Sequence, residues 1–388
     1  MEVKNICVVS AFFPPHIGGV ERYSHYLSMH LSKTGYKVCV VTLNTENQKE
    51  FEECEFYSII RLPYLNFLGG RYPFPKFNKK FYQLLSLMKD FKPDLFILNQ
   101  RFYVISYLFS YIAELMKKPS FLIEHVTGHF TVGNKIFDFV GHIYEHLITK
   151  ATKNKVTKFY GVSEACNLWL KHFKIKSSGI IYNGADINIQ IDESYNFRQD
   201  KKLDSDTFIV FFAGRLIQEK GIDELVDAFK IFNKKNPKSL LYVAGEGPLL
   251  EKFQKPNEEN SSVVFPGKVE HSDLMNILNN SDVVVIPSYY PEGLPTLILE
   301  AGVLGKPVIS TDRGGAKEII TNDDLGVVIK QKSVEDIEKA LELIHFDNGY
   351  SKKISKNLQQ RIFEKFSWEV IVLNLKKEID LLIYLKKN

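Results

Sequence analysis

Short apolar, β-branched runs alternate with longer stretches of helical periodicity from one end of the chain to the other. VKNICVVSAF reads as a buried strand, and Gly19 to Ser32 follows at helical spacing. YKVCVVTL, YSIIRLPY, DLFILN, SFLIEH and KFYGVS are the next strands. PKFNKKFYQLLSLMKDF, FYVISYLFSYIAELM, KIFDFVGHIYEHLITKATK and EACNLWLKHF are the helices between them. Strands that are apolar at nearly every position, alternating with helices, imply a parallel sheet covered on both faces.

The pattern then restarts. After GIIYNGADINI comes the polar stretch QIDESYNFRQDKKLDSD, which reads as a linker, and a second series follows: TFIVFFAGR, SLLYVAGEG, SVVFPGK, DVVVIPS, KPVIST and LGVVIK. The expected organisation is a first doubly wound unit over 1–184, a linker over 185–205, a second unit over 206–366 and closing helices over 367–388. Two such α/β units facing one another would place a ligand in the cleft at the carboxyl ends of their strands. No repeat of solenoid period and no low-complexity tract interrupts the series.

Composition adds limits. The 388 residues carry 50 Lys+Arg against 46 Asp+Glu, a formal charge of +4, too small to mark a nucleic-acid binder. Cys7, Cys39, Cys54 and Cys166 are scattered, without the close pair of a zinc or redox motif. The N-terminal MEVKNICVVSAFF lacks a basic n-region and a cleavage site. The longest apolar candidate, Phe102 to Met116, is shorter than the ~20 residues of a membrane span. A cytoplasmic, reduced location is expected.

Three segments carry candidate chemistry. In DVVVIPSYYPEGLPTLILEAGVLGKPVIST a buried strand ends at Pro287, a loop carries Glu292, and Pro295 fits the first turn of a helix running to about Leu304. Backbone N–H groups of Gly293 and Leu294 and the helix dipole favour an anion there. Glu300, one turn on, would accept hydrogen bonds from hydroxyls just beyond it, and Glu292 from hydroxyls on the other side. That suits a diphosphate bearing a sugar at each end, against the plainer reading of two surface glutamates. In FIVFFAGRLIQEKGIDELVDAF, Arg215 and Lys220 follow a strand end, where two fixed cations would neutralise a leaving diphosphate; a solvated loop is the alternative. In FFPPHIGGVERY, Gly18 and Gly19 open a helix after the first strand and let backbone approach phosphate, though turns use glycine widely. His125, with His129 close behind, ends another strand and either faces the cleft or is an ordinary packed or solvent-facing histidine. Gly245 and Gly247 form a further strand-end turn, beside a base or merely tight.

Taken in order, the Gly-Gly loop, Val162–Ser163, Asn183–Asp186, GRLIQEKG, AGEGP, EGLPTLILEAGVLGKPVI and the closing FSWE resemble the retaining GT-B glycosyltransferases of the family-4 type, over nearly the whole chain. The resemblance implies a donor site of Gly18, Gly19, Arg215, Lys220, Gly245, Glu292, Gly293, Leu294 and Glu300. In it Glu292 lies near the donor sugar and Glu300 on the nucleotide ribose. Catalytic roles fall to His125, Glu292, Arg215 and Lys220. Pro295 stands in place of a commoner glycine and Ala185 in place of a branched residue, and neither removes a functional group. The implied reaction is retaining sugar transfer from a nucleotide diphosphate sugar, UDP-sugar before GDP-mannose, with no metal or other cofactor. Asp204-Ser205-Asp206 matches a metal-binding Asp-x-Asp in form but precedes its strand, and reads as a solvated turn.

The segment LNFLGGRYPFPKFNKKFYQLL interleaves Arg71, Lys76, Lys79 and Lys80 with Phe67, Tyr72, Phe74, Phe77, Phe81 and Tyr82. It suits either an anionic bilayer on the inner face of the cytoplasmic membrane or an ordinary surface helix. On the first reading the acceptor is a lipid-linked glycan of surface polysaccharide synthesis, and LLIYLKKN at the C-terminus adds a second contact or packs in the core. The competing functions are a nucleotide-sugar epimerase or hydrolase of the same fold and a non-catalytic sugar-nucleotide or glycan-binding protein. The dinucleotide glycine fingerprint of an NAD-dependent oxidoreductase is absent.

Overall fold

A computed structural model describes residues 4–131, 135–257, 262–290 and 292–387. Two compact units emerge: Met1–Gly184 with Trp368–Asn388, and Ala185–Ser367.

The first unit is built on an eight-stranded sheet. Its strands are β1 (Asn5–Val9), β2 (Lys37–Leu43), β3 (Phe51–Glu53), β4 (Ser58–Leu62), β7 (Leu95–Asn99), β8 (Ser120–Glu124), β9 (Lys158–Gly161) and β10 (Gly179–Ile180). A separate antiparallel pair, β5 (Tyr64–Phe67) and β6 (Tyr72–Pro75), lies between them in the chain. The order β10-β9-β8-β7-β1-β2-β4-β3 is parallel except for the β3–β4 edge. Cys7, Val9, Cys39, Val41, Phe96, Leu98 and Leu122 face one continuous core, which is why these runs are apolar throughout. The helices are α1 (Gly19–Lys33), α2 (Lys79–Asp90), α3 (Val104–Leu115), α4 (Lys135–Lys153) and α5 (Glu164–His172). The helix expected from Pro75 starts later. Tyr72–Pro75 pairs with Tyr64–Phe67, and α2 begins only after Asn78, whose side chain accepts from Phe81 N.

The second unit has a six-stranded parallel sheet ordered β13-β12-β11-β14-β15-β16. The strands are β11 (Phe208–Ala213), β12 (Ser239–Ala244), β13 (Val263–Gly267), β14 (Val283–Ile286), β15 (Val308–Thr311) and β16 (Val327–Ile329). Its helices are α6 (Phe197–Asp200), α7 (Ile222–Lys235), α8 (Leu250–Asn257), α9 (His271–Asn279), α10 (Thr296–Val303), α11 (Ala316–Ile319), α12 (Val334–Phe346) and α13 (Asn348–Lys365).

Two stretches differ from their expected roles. Residues 185–205, read as a linker, fold against the second unit. Phe197 is fully buried, and Arg198 donates to Asn280 O, Thr207 O and Asp282 Oδ2. The closing stretch is one helix, α14 (Trp368–Lys387), which belongs to the first unit, with Trp368 stacked on Tyr26. No helix among the described residues is long and apolar enough to cross a membrane. The side chains of 383–388, part of the second membrane contact considered above, lie outside the described set.

Candidate functional site

In the second unit, the loops at the carboxyl ends of β11, β12 and β14 interlock through glycines. Gly245 has φ +136° and its N–H donates to Gly267 O; a Cβ there would fall on the Gly214 carbonyl. Leu216 N bonds Glu246 O at 2.8 Å, closing the β11 loop onto the β12 loop. Arg215 stands between these anchors, exposed, with no ion pair among the described residues.

Lys220 is positioned from the other side. The carbonyl of Glu219 accepts from Tyr289 N at 3.0 Å and Tyr290 N at 3.2 Å, tying the β11 loop to the loop after β14. Gly221, at φ +72°, sits where a Cβ would meet Pro287 O. The result is a direct ion pair, Lys220 Nζ to Glu292 Oε1 at 2.6 Å, with both side chains largely shielded. Glu292 is itself braced, because Gly314 at φ +54° lets the β15 loop lie against its backbone, and Gly315 N donates to Glu292 O.

Pro295 is the N-cap of α10, not part of its first turn, and offers no side-chain cap. Helices α2, α5, α12 and α13, by contrast, each have a capping side chain. The N–H groups of Gly293 and Leu294 find no acceptor among the described residues, leaving the positive end of α10 open to an anion. Glu300 lies on α10 with its side chain mostly shielded, 4.0 Å from His271 Nε2. Thus Lys220, Glu292, Gly293, Leu294 and Glu300 cluster around the start of α10, with Arg215 and Gly245 on the neighbouring loops.

Gly18, Gly19 and His125 belong to the first unit. Gly18 caps α1 without a side chain, and a Cβ on Gly19 would meet open space, as a backbone approached by a ligand requires. His125 directly follows β8. Its Nε2 lies 2.9 Å from Asn99 Oδ1, and Tyr23 meets its ring edge-on. Burial holds the imidazole far below its ordinary range, at about 3, so the ring is neutral. With Nε2–H donating to Asn99, Nδ1 keeps a lone pair for a hydroxyl.

Two residues of the site carry little signal in the sequence. Asn99 ends β7, is fully buried and also donates to Ser24 Oγ on α1; a lone amide closing DLFILN was its only signal. His271 starts α9 after β13, and only its place beyond a strand end pointed to it. Asp204 and Asp206 are exposed and pair with Lys238, as a solvated turn does.

Residues 17–189 match the model of Glycosyltransferase Family 4, and 194–361 that of Glycosyl transferases group 1. The chain belongs to the group 1 glycosyltransferases, with the GT-B fold. An uncharacterized glycosyltransferase of Methanocaldococcus jannaschii is 27% identical over 99% of this chain and 100% of its own. A capsular polysaccharide biosynthesis glycosyltransferase of Staphylococcus aureus is 30% identical over 47% of each chain. Among solved structures, sucrose-phosphate synthase from Thermosynechococcus elongatus superposes with a TM-score of 0.77 at 20% identity, covering 98% of this chain and 100% of that one. Anabaena HepE in complex with UDP and glucose does so at 0.73 and 16%, covering 97% and 99%. At such identities these structures speak to fold alone.

Proposed function

We propose that this glycosyltransferase moves a hexose or N-acetylhexosamine from a UDP-sugar, with retention, to a glycan or lipid-linked glycan acceptor in surface polysaccharide synthesis. The observation carrying this is the Lys220–Glu292 pair beside the uncapped start of α10, one turn from Glu300. Cation, open N–H groups and carboxylates there match a diphosphate flanked by two polyols.

In this reading Arg215, Lys220 and the Gly293 and Leu294 N–H groups take the diphosphate. Glu300 takes the ribose hydroxyls, Gly245 lies beside the base, and Glu292 holds a donor-sugar hydroxyl. As the bond from C1 to the diphosphate oxygen breaks, negative charge builds on the phosphate and Arg215 and Lys220 stabilise it without a metal. The acceptor hydroxyl bonds to C1 on the same face and its proton passes to the departing phosphate oxygen. Neutral His125 orients hydroxyls through Nδ1.

The acceptor class is supported by the capsular polysaccharide relative, and UDP is chosen as the commoner donor nucleotide of such families. For a membrane contact, the basic aromatic segment gives divided support. Phe67, Phe77 and Tyr82 are exposed, but Phe81 is buried, Tyr72 bonds Phe102 O, and Lys80 pairs with Glu50. Helix α4 adds an outward apolar stripe of Ile136, Phe139, Val140, Ile143 and Leu147.

The test is transfer of radiolabelled sugar from UDP-glucose, UDP-galactose, their N-acetyl analogues and GDP-mannose to a lipid-linked glycan extract, in EDTA. Acceptor-dependent product with unchanged anomeric configuration is expected. Donor consumption without acceptor would favour the hydrolase or epimerase reading, and product from GDP-mannose alone would overturn the UDP assignment.

A further inference from the structure

Four of the ten histidines converge on one corner of the first unit. His129 lies beyond β8, His142 and His146 sit four residues apart on α4, and His172 is the last residue of α5. His129 stacks on His142 at 4.1 Å, and the rings of His129, His146 and His172 lie 5.0–5.4 Å apart. Each of these three offers a ring nitrogen within 4.8 Å of the others'.

Two details distinguish this from a chance crowd of imidazoles. His146 Nε2 and His172 Nε2 are 3.2 Å apart. Two nitrogens each ~2.0–2.1 Å from a zinc ion at the tetrahedral angle would lie ~3.3–3.4 Å apart. Second, His129 Nδ1 faces Glu145 Oε2 at 2.7 Å. Its Nδ1–H donates there and leaves the Nε2 lone pair for a metal, the carboxylate–histidine arrangement that fixes a ligand's tautomer and orientation.

We infer that His129, His146 and His172 form a binding site for a zinc-like divalent transition metal, with water in the fourth position. Ligation draws the three nitrogens together by up to ~1.5 Å and replaces the proton shared between His146 and His172, which moves to an Nδ1. The metal ties the segment after β8 to the middle of α4 and the end of α5. Glu145 also pairs with the fully buried Arg101, Arg101 with Glu124 at 2.6 Å, and Glu124 accepts the backbone N–H of His125 and Val126. A filled site therefore steadies the residues leading to His125. Its role is positional, apart from the transfer chemistry.

The experiment uses the full chain without a histidine tag, stripped of metal and titrated with cobalt(II) and then zinc(II). Expected are an intense visible cobalt band of tetrahedral type, its displacement by one equivalent of zinc, and a zinc-raised thermal midpoint. His146→Gln and His172→Gln, checked for folding by circular dichroism, should lose the band and the midpoint shift. A weak octahedral-type spectrum, less than one equivalent bound at saturating zinc, or unchanged binding in both folded variants would overturn the assignment. Should the variants not fold, the wild-type cobalt spectrum decides it.

Discussion

Lys220 and Glu292 neutralise each other in the free protein, so a diphosphate arriving at Lys220 must compete with a carboxylate 2.6 Å away. Replacing either removes more than a contact. In the proposed donor site, Lys220→Ala would leave Glu292 facing the diphosphate unneutralised, and Glu292→Ala would free the cation but lose the proposed contact to a sugar hydroxyl. Each is expected to cost about 2–4 kcal/mol of transition-state stabilisation, read as a fall in kcat/KM, with Lys220→Ala also weakening nucleotide binding. Near-normal turnover in both folded variants would sink these roles. At His125 the consequence concerns stability. Its folded pKa, about 3, lies below the ordinary value, so acidification from ~6.5 protonates the unfolded chain first and stability falls progressively down to about 3. His129, at about 4, adds to the same trend. His125→Gln should flatten part of that decline in urea melts taken at pH 7 and pH 5. An equally steep decline would mean that His125 does not contribute to it.

At the scale of elements, the glycine turns divide into two kinds. Gly245 holds positive φ against the Gly214 carbonyl, whereas Gly19 faces open space at the start of α1. Gly245→Ala is expected to lower folding stability by about 1–3 kcal/mol, measured by urea denaturation. Gly19→Ala should leave the urea midpoint nearly unchanged and weaken donor binding instead, and a shared pattern of loss would refute the distinction. Helix α4 makes a different kind of statement. Its inner face sets Tyr144, Glu145 and Ile148 towards the unit, while Ile136, Phe139, Val140, Ile143 and Leu147 point to solvent. Flotation with phosphatidylglycerol-containing vesicles should carry the protein upward, and Phe139→Ser with Ile143→Ser should reduce that several-fold. Flotation unaffected by the pair would remove α4 from the membrane contact.

Across the whole molecule, the sequence was most readable where one residue's environment is uniform along an element. Strands such as β1, β7 and β12 are buried on both faces, so their apolar runs announced them. The helix expected over Pro75–Phe91 lost its first turn because Pro73 and Pro75 suit a two-stranded ribbon, and Asn78 caps the helix later. The polar stretch around Phe197 resembled a linker because Arg198 is satisfied by Asp282, 84 residues away, a pairing that composition does not reveal. The site followed the same division. Arg215 and Lys220 stand just past a strand end, and Glu292 and Glu300 in the loop and helix that follow another, but the Lys220–Glu292 ion pair, the Glu219 carbonyl bridge and the place of Asn99 beneath His125 arise only in three dimensions.

In the proposed donor site the start of α10 and the β11 loop bind a nucleoside diphosphate without a metal. Isothermal titration of UDP into wild type and Lys220→Ala, in EDTA, tests it most directly. Saturable binding by wild type is expected, with a loss of roughly 10-fold or more in the variant, the worth of about 1.5–3 kcal/mol for a charge-assisted hydrogen bond. Equal affinities in the two proteins, or no binding of UDP to wild type, would contradict it.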